Sequence, residues 1–359
     1  MKLHECLVRS ARRGMELQGE NGAMPAGHNG PYLDKETPVR NTGHWLIAFL
    51  KAYEISGEKT FLNSAEKALR FLLSKEARPM GKTFWHRENP EKDFANGLIG
   101  QAWSIEALSA ASEHIDMDEP AKTAKDVFLM HPFNEETGLW KRVNVDGSYL
   151  SADGTFNHQL WFAASATLLS RHCKNREILR PVEIFMEKMP LNLDLYPSGL
   201  IVHNVKKHSL TGKAKRSLKM WIGRDKRGEI ILKAAGYHQF NLYAFALLKT
   251  CFPQHPFWKS SLFKKLWTYA NSERYIMDID KSIYGYPYNP PGFEMPFALE
   301  IFGDEMQDKR EKQEKWLSEQ MRRCFDFTSH LMEKNTKDPD TSAARIYEAT
   351  RLPDLEIKI

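Results

Sequence analysis

Two aspartates in this sequence have the residue type and the spacing of an acid–base pair. Asp93 lies in the segment 92–96 (KDFAN), and Asp153 begins the segment 153–158 (DGTFNH) 60 residues later. Hydrolysis of a glycosidic bond uses two such carboxyl groups, one protonated to act on the substrate and one charged to orient it or to activate water. Asp is also a favoured helix N-cap, so capping without chemistry is the alternative interpretation of both residues.

Histidines occur in the same sequence context, where an apolar segment begins. His44, His158 and His238 have no partner at the spacing of metal ligands, so the sequence predicts no metal site. Their predicted role is recognition of sugar hydroxyl or carboxylate groups, and a buried structural histidine is the alternative. Glu294 is a third candidate carboxylate, with a structural ion pair as its alternative. The other candidate substrate-binding residues are Arg40, Trp45, Asn96, Asn157, Tyr237 and Tyr288.

Motifs that bind nucleotides or other cofactors are missing from the sequence. It contains no phosphate-binding glycine loop, no G-x-S-x-G, no H-E-x-x-H and no C-x-x-C, so no cofactor is predicted. The net charge of +5, from 51 basic and 46 acidic residues, is too small to predict binding to nucleic acid. It is compatible with a small anionic saccharide as the substrate. The aromatic share of 11% suits stacking on sugar rings, although a large helical core also uses aromatic residues.

The segments that follow these polar residues have the 3.6-residue periodicity of helices, and apolar helices alternate with amphipathic ones. A helix that is apolar on all sides must be buried, and an amphipathic helix can shield it from water. Six helices of each kind predict an all-α fold, an (α/α)6 barrel, with an open helical solenoid as the alternative. The predicted inner helices are 42–55, 96–112, 157–171, 237–251, 292–302 and 342–350, and the outer ones are 3–18, 60–73, 120–130, 176–188, 256–270 and 309–332.

The barrel explains why the polar residues stand where the inner helices begin. All inner helices of such a barrel run parallel, so their N-terminal ends meet at one mouth. The candidate residues are therefore expected to surround a single pocket. The positive ends of the helix dipoles favour an anionic group at that mouth.

Residues 1–359 are predicted to form one barrel domain with a small β insertion at residues 195–235. Within the insertion, the runs 199–203, 218–222 and 229–233 have the short apolar pattern of strands. No apolar run approaches the roughly 18 residues of a membrane span, and the N-terminal segment lacks the apolar stretch of a signal peptide. The four scattered cysteines suit reduced thiols, which predicts a cytoplasmic location.

The aspartate segments resemble those of a known enzyme family. The segment 153–164 (DGTFNHQLWFAA) resembles the aspartate-led segment before the third inner helix of the unsaturated glucuronyl hydrolases and the related rhamnogalacturonyl hydrolases, which are six-hairpin glycosidases. Asp93 falls where that family has its other aspartate, and the segment 42–57 is similar to its first inner helix. The resemblance covers about residues 40–170. Lys92 stands where the family often has His, and the β insertion is not a family feature.

This resemblance implies a reaction and a role for each aspartate. Asp153 would be the general acid/base that protonates an unsaturated uronate ring, so that water adds to its vinyl ether, and Asp93 would assist. The leading hypothesis is therefore a glycoside hydrolase acting on a uronic-acid-containing glycan or oligosaccharide. The alternatives are a polysaccharide lyase or sugar epimerase on the same fold, which would rely on Tyr237, His238, Tyr286 and Tyr288, or a non-catalytic glycan-binding or assembly protein. A second resemblance is to barrel proteins encoded among glycan-assembly genes.

Overall fold

Helices occupy most of the chain. The computed structural model describes residues 1–171, 175–206 and 224–358, with side chains in the last range from residue 228 onward. The α-helices in these ranges are α1 (Leu3–Leu17), α2 (Val39–Ser56), α3 (Lys59–Leu73), α4 (Gly97–His114), α5 (Glu119–Met130), α6 (Phe156–Leu169), α7 (Arg176–Glu187), α8 (Met189–Asn192), α9 (Arg224–Cys251), α10 (Ser261–Ala270), α11 (Glu273–Asp280), α12 (Pro291–Phe302), α13 (Lys309–Cys324) and α14 (Pro339–Ala344). Short 3-10 helices span Gly30–Tyr32, Pro256–Lys259 and Arg345–Arg351.

The inner helices form a closed ring. Helices α2, α4, α6, α9 and α12 each pack against the next, α12 packs against the 3-10 helix Arg345–Arg351, and that helix packs against α2. A solenoid would leave its first and last helices apart, so this closure confirms the (α/α)6 barrel. Nearly every side chain of α6 is buried, whereas α3 buries only one face, as inner and outer helices require.

The two ends of the chain meet on the outside of this ring. The Leu3 N–H donates to the Leu355 carbonyl, and the Ile357 N–H donates to the Met1 carbonyl. Helix α1 packs against α2, α3 and the final 3-10 helix, so it completes the outer layer. Trp45 fills the space between α1 and α2, where a Cβ at Gly14 would lie 2.5 Å from its ring.

The sheet lies in a different part of the chain from the predicted β insertion. Strands β1 (Phe133–Asn134), β2 (Leu139–Val143) and β3 (Tyr149–Ala152) form an antiparallel sheet in that order. Of the predicted strands, 229–233 is wrong because these residues belong to α9. The run 199–203 forms only the isolated bridge between Ile201 and Leu195, and 218–222 lies outside the described residues. A short apolar run fits a strand and a buried helix equally well, and here the run continues into an apolar helix.

Candidate active site

Asp153 lies at the mouth of the barrel, between the end of the β2–β3 hairpin and the start of α6. Its Oδ1 accepts a hydrogen bond from the Thr155 N–H (3.0 Å), and its Oδ2 accepts from the Leu98 N–H at the start of α4 (3.2 Å) and from His158 Nδ1 (2.9 Å). Burial acts to raise the pKa of this carboxyl, but His158 and the two backbone donors hold the pKa well below its usual range. Asp153 is therefore ionised at neutral pH.

His158 is the partner of Asp153 that reaches solvent. An ionised carboxylate only accepts hydrogen bonds, so the Nδ1 of His158 carries the proton in this contact. The His158 side chain is 24% exposed, and its Nε2 has no hydrogen-bond partner among the described residues. A carboxylate that fixes one imidazole nitrogen leaves the other correctly oriented for proton transfer. The Nε2 of His158 is thus the atom of this pair that can exchange a proton with a substrate.

Asp93 binds the same helix start as Asp153 but in a different way. Its Oδ1 accepts from the Gly97 N–H (2.6 Å), while its Oδ2 accepts from Arg87 (3.1 Å) and Arg142 (2.9 Å). Asn96 adds a contact, since its Oδ1 accepts from Arg87 (3.1 Å). The structure therefore brings the two aspartates together at the first turn of α4. The two guanidinium partners and the Gly97 N–H fix the orientation of the Asp93 carboxyl group.

The close approach of these groups depends on a glycine. Gly97 has φ +59°, and a Cβ at this position would lie 2.6 Å from the Oδ2 of Asp153 and 3.1 Å from the Nδ1 of His158. Asn96 before it also has a positive φ of 55°. Strained backbone of this kind persists only where the surroundings impose it, and it is concentrated at functional sites.

His203 lies beside this pair, although it precedes no helix. Its carbonyl accepts from the Phe156 N–H at the start of α6 (2.9 Å), and its ring lies 5.0 Å from the ring of Tyr237. Its Nδ1 is buried and has no hydrogen-bond partner among the described residues. Burial lowers the pKa of His203 to about 3, and Lys233 and His158 add electrostatic repulsion. His203 is therefore a neutral imidazole at the mouth. We define the rim cluster as Asp93, Asp153, His158, His203, Arg87 and Arg142.

Arg40 and His44 lie deeper, inside the ring of inner helices. Arg40 is fully buried, where it pairs with Glu36 (3.2 Å) and lies 4.1 Å from the ring of Trp103. His44 stacks on Tyr347 with ring centres 4.0 Å apart, and neither of its nitrogens has a partner among the described residues. Burial holds the pKa of His44 well below its ordinary value, and Arg40 adds to the effect. His44 is consequently neutral.

Glu294 also belongs to this interior rather than to the rim. Arg345 donates to Glu294 (2.9 Å) and lies 2.8 Å from Glu348, and all three side chains are buried. Burial and the neighbouring carboxylate raise the pKa of Glu294 well above its ordinary value, and burial raises that of Glu348 to about 7. The contacts of Glu294 are therefore those of a structural ion pair, the alternative interpretation of this residue. We define the floor network as Arg40, His44, Glu294, Arg345 and Glu348.

Two tyrosines connect the rim to the floor. The Tyr237 hydroxyl bonds to the Tyr32 hydroxyl (2.8 Å), and Tyr288 donates to the Oδ1 of Asn29 (2.6 Å). Arg40 also approaches the ring of Tyr288, at 5.7 Å. Asn157, the neighbour of His158 in α6, is buried, and its Oδ1 has no partner among the described residues.

Two further sequence-predicted site residues lie in the wall of the barrel and not at its mouth. His238 lies in the middle of α9, where its Nε2 donates to the Leu266 carbonyl (3.1 Å) and its Nδ1 accepts from the Ile201 N–H (3.3 Å). Both nitrogens of His238 thus have structural partners in the wall of the barrel. Trp45 packs between α1 and α2, on the outer side of the inner ring. The structure therefore does not place either side chain at the mouth, where the sequence predicts it.

The opposite end of the barrel holds a cavity of about 160 Å³. Its charged residues form ion pairs, namely Lys51 with Glu54, Arg171 with Glu113 and Arg351 with Glu106. None of the sequence-predicted site residues lines this cavity. Because its charges are mutually compensated, we place the candidate active site at the N-terminal mouth.

Within the described ranges 1–171, 175–206 and 224–358, His, Cys, Asp and Glu side chains nowhere gather in a group of three suited to a metal ion. In the same part of the chain, each helix is too short or too polar to cross a membrane.

Comparisons with known proteins find a sequence relative over nearly the whole chain and structural neighbours of low sequence identity. No protein-family model matches it. It is 45% identical over 370 residues to archaeal glycosylation protein Q of Haloferax volcanii, a match that covers 99% of this chain and 98% of that protein. Cellobiose 2-epimerase from Spirochaeta thermophila has a TM-score of 0.64 at 14% identity, covering 94% of this chain and 92% of that one. An unsaturated glucuronyl hydrolase specific for heparin has a TM-score of 0.59 at 11% identity, and the match covers 97% of this chain and 96% of that one.

These structural neighbours confirm the predicted resemblance to six-hairpin glycosidases at the level of the fold. They include both hydrolases and epimerases of carbohydrates. The chain therefore has the fold that these hydrolases and epimerases share.

Proposed function

The chain belongs to the family of archaeal glycosylation protein Q, and from that premise we propose that it is a carbohydrate-active enzyme that transfers protons on an anionic sugar unit. Epimerisation or isomerisation is the reaction that the site supports best. The observation that carries this proposal is the pair of rim histidines, His158 bonded to an ionised carboxylate and His203 held neutral. Two titratable groups in such different environments divide naturally into an acid and a base.

The reaction follows from these two roles. His203, with a free lone pair, takes the proton from a carbon next to a carbonyl or carboxylate group, which leaves an enolate on the sugar. His158, oriented by Asp153, returns a proton to that carbon or to its neighbour, which inverts the centre or moves the carbonyl. No bond to a leaving group breaks and no oxidant is needed. The positive helix ends of α4 and α6, together with Arg142, stabilise the negative charge of the enolate.

Hydrolysis by the sequence-predicted mechanism needs a protonated carboxyl group beside the substrate. Asp153 is ionised and accepts three hydrogen bonds, and Asp93 has two arginine partners, which disfavours either residue as the acid. Hydrolysis of an unsaturated uronyl saccharide is the second candidate, because both aspartates bind the first turn of α4. In that reaction the proton would come from His158.

An anionic substrate is supported by the charges at the mouth. Arg87, Arg142, Lys92 and Lys233 lie around the rim, and helix N-termini add partial positive charge. A uronic acid meets this requirement and also acidifies the C–H bond next to its carboxylate. We therefore propose a uronic-acid-containing saccharide as the substrate class.

The proposal is tested by incubating the protein with a panel of uronic-acid-containing saccharides in heavy water and following the products by NMR. We expect deuterium at one sugar carbon together with a new stereoisomer or a moved carbonyl. Loss of the ultraviolet absorbance of an unsaturated uronyl disaccharide would favour the hydrolase instead. Binding with neither change would indicate a glycan-binding protein and contradict the proposal.

Variants of the two histidines test whether the activity arises at the rim cluster. His158→Gln and His203→Gln each remove a proton-transfer group, which typically contributes about 10²–10⁴-fold in rate. His114→Gln is the matched control, because His114 also bonds to a carboxylate, Glu54 (2.7 Å), but lines the cavity at the opposite end. An equal loss of deuterium incorporation in all three variants would contradict the assignment of the activity to the rim cluster.

A further inference from the structure

Lys233 is a half-buried cation near the rim that has no carboxylate partner among the described residues. Its Nζ lies 4.8 Å from the centre of the Tyr32 ring and 5.6 Å from that of Tyr284. The other cations here have carboxylate partners, since Lys92 pairs with Asp34, and Arg87 and Arg142 share Asp93. Lys233 therefore retains an uncompensated positive charge beside two aromatic faces.

A continuous set of contacts relates Lys233 to the rim histidines. Tyr32 bonds through its hydroxyl to Tyr237, and the ring of Tyr237 packs against His203. The carbonyl of His203 in turn holds the start of α6, two residues before His158. Lys233 thus lies on the same side of the mouth as His203, to which it is connected through the side chains of Tyr32 and Tyr237.

The energetics of this position favour an anionic ligand. Burial lowers the pKa of Lys233, and the nearby charge of Lys92 lowers it further. Two tyrosine faces stabilise an ammonium group, yet they do not neutralise it. A negative group placed between Lys233 and Lys92 would offset both the lost hydration and the repulsion.

We propose that Lys233, with the faces of Tyr32 and Tyr284, forms the subsite that binds the anionic group of the sugar, a carboxylate or a phosphate. This inference rests on the proposed function, because it assigns the part of that same site that selects the substrate. Lys233 selects for charge, and the two tyrosine rings give a surface against which the sugar ring packs.

The test measures binding, not turnover, with three probes: methyl glucuronoside, glucose 1-phosphate and the neutral methyl glucoside. Calorimetric titrations compare the wild type with Lys233→Met and Lys233→Arg. Lys249→Met is the matched control, because the Nζ of Lys249 also lies 4.8 Å from an aromatic ring, that of Phe302, but away from the mouth. Circular dichroism melting verifies that each variant is folded, and Lys233→Gln replaces Lys233→Met if the latter is not.

We expect Lys233→Met to weaken binding of an anionic probe about 10- to 100-fold, the usual effect of losing a charged hydrogen-bond partner. Lys233→Arg should retain binding within a few-fold, and methyl glucoside should be unaffected throughout. The anionic probe that loses affinity identifies the group as carboxylate or phosphate. Unchanged binding of both anionic probes to Lys233→Met, an equal loss for methyl glucoside, or a wild type that does not prefer charged probes would each overturn the inference.

These results separate the subsite from the proposed reaction. If Lys233→Met loses anion binding but the wild type exchanges no sugar proton in heavy water, the reaction is refuted and the subsite stands. If the wild type exchanges protons and Lys233→Met binds anionic probes normally, the subsite is refuted and the reaction stands.

Discussion

At the rim of the mouth, the carboxylate of Asp153 accepts three hydrogen bonds and is ionised, whereas at the floor Glu294 and Glu348 share the single guanidinium of Arg345. Both sites are buried, so burial alone does not decide the protonation state. The number of donors available to each carboxylate decides it. Asp153 has enough donors to overcome its burial, and the two glutamates do not.

Because of this difference, the rim cluster is suited to catalysis and the floor network to stabilising the fold. The ionised Asp153 holds a proton on the Nδ1 of His158 and leaves the Nε2 free for a substrate. The groups of the floor network cannot contact a substrate in this way, because they are enclosed by the ring of inner helices. We therefore expect substitutions at the rim to change activity, and substitutions at the floor to change stability.

Asp153→Asn is expected to have the largest effect, and it would appear in the rate. The amide keeps the shape and some of the capping, but it no longer fixes the protonated form of His158, so kcat should fall by at least about a hundredfold. The melting temperature should fall as well, because the Nδ2 of Asn cannot accept the hydrogen bonds that the Oδ2 of Asp153 accepts from the Leu98 N–H and from His158. Both are measured on the same preparation, using the substrate found in the exchange assay.

Asp146→Asn is the matched control for this substitution. Asp146 also accepts a hydrogen bond from the backbone two residues later, in the exposed turn between β2 and β3 (2.9 Å). It should leave both rate and melting temperature unchanged. An Asp153→Asn protein that retains more than about half of the wild-type rate would show that the rim pair is not the acid–base group.

Arg345→Met tests the floor. Removing the cation leaves Glu294 and Glu348 buried together, and breaking a buried ion pair in this way costs about 3–5 kcal/mol. Arg323→Met is the control, because Arg323 also bonds two carboxylates, Glu319 and Asp280, over an aromatic ring, but it is 28% exposed. The control should lose at most about 1 kcal/mol. Equal losses in denaturant unfolding would contradict the distinction between floor and surface.

Glu348→Gln tests the pH dependence of the floor, with a smaller expected effect. Since folding raises the pKa of Glu348 to about 7, its contribution to stability is greatest at low pH and is lost as pH rises through the folded pKa. The stability of Glu348→Gln relative to the wild type should therefore rise by about 1–3 kcal/mol between about pH 5 and 8. The buried histidines titrate alike in both proteins, so they cancel in this difference.

Glu300→Gln, which removes the half-exposed partner of Lys309, is the control for this titration. Its stability relative to the wild type should stay constant over the same pH range. A Glu348→Gln protein whose relative stability is also constant would show that Glu348 is ionised in the folded protein.

The helices and the Asp153–His158 pair could be predicted from the sequence because both depend on local patterns. Periodicity separates inner from outer helices, and one short segment contains both members of the pair. The sequence could not place His203 or Lys233 at the mouth in the same way. His203 reaches α6 through a bridge between Thr155 and Asn204, a contact between distant parts of the chain.

Trp45 and His238 lie away from the mouth for the same physical reason. Adjacent residues on a helix point about 100° apart, so a helix turn at the mouth cannot direct all its side chains inward. His44 points into the barrel and Trp45 packs outside it, while Tyr237 contacts the mouth and His238 bonds within the wall. To predict which residue of each pair faces the mouth, the rotation of the helix about its axis must be known. That rotation is set by how the helix packs against its neighbours.

The protonation state of His203 is the most direct test of the rim. Its ring signals are assigned by NMR from their absence in His203→Gln, and then followed in the wild type as pH is lowered. Because the pKa of His203 is about 3, we predict that these signals do not move between about pH 8 and 5. A titration centred near the ordinary histidine value of about 6.5 would contradict the assignment of His203 as a neutral base beside His158.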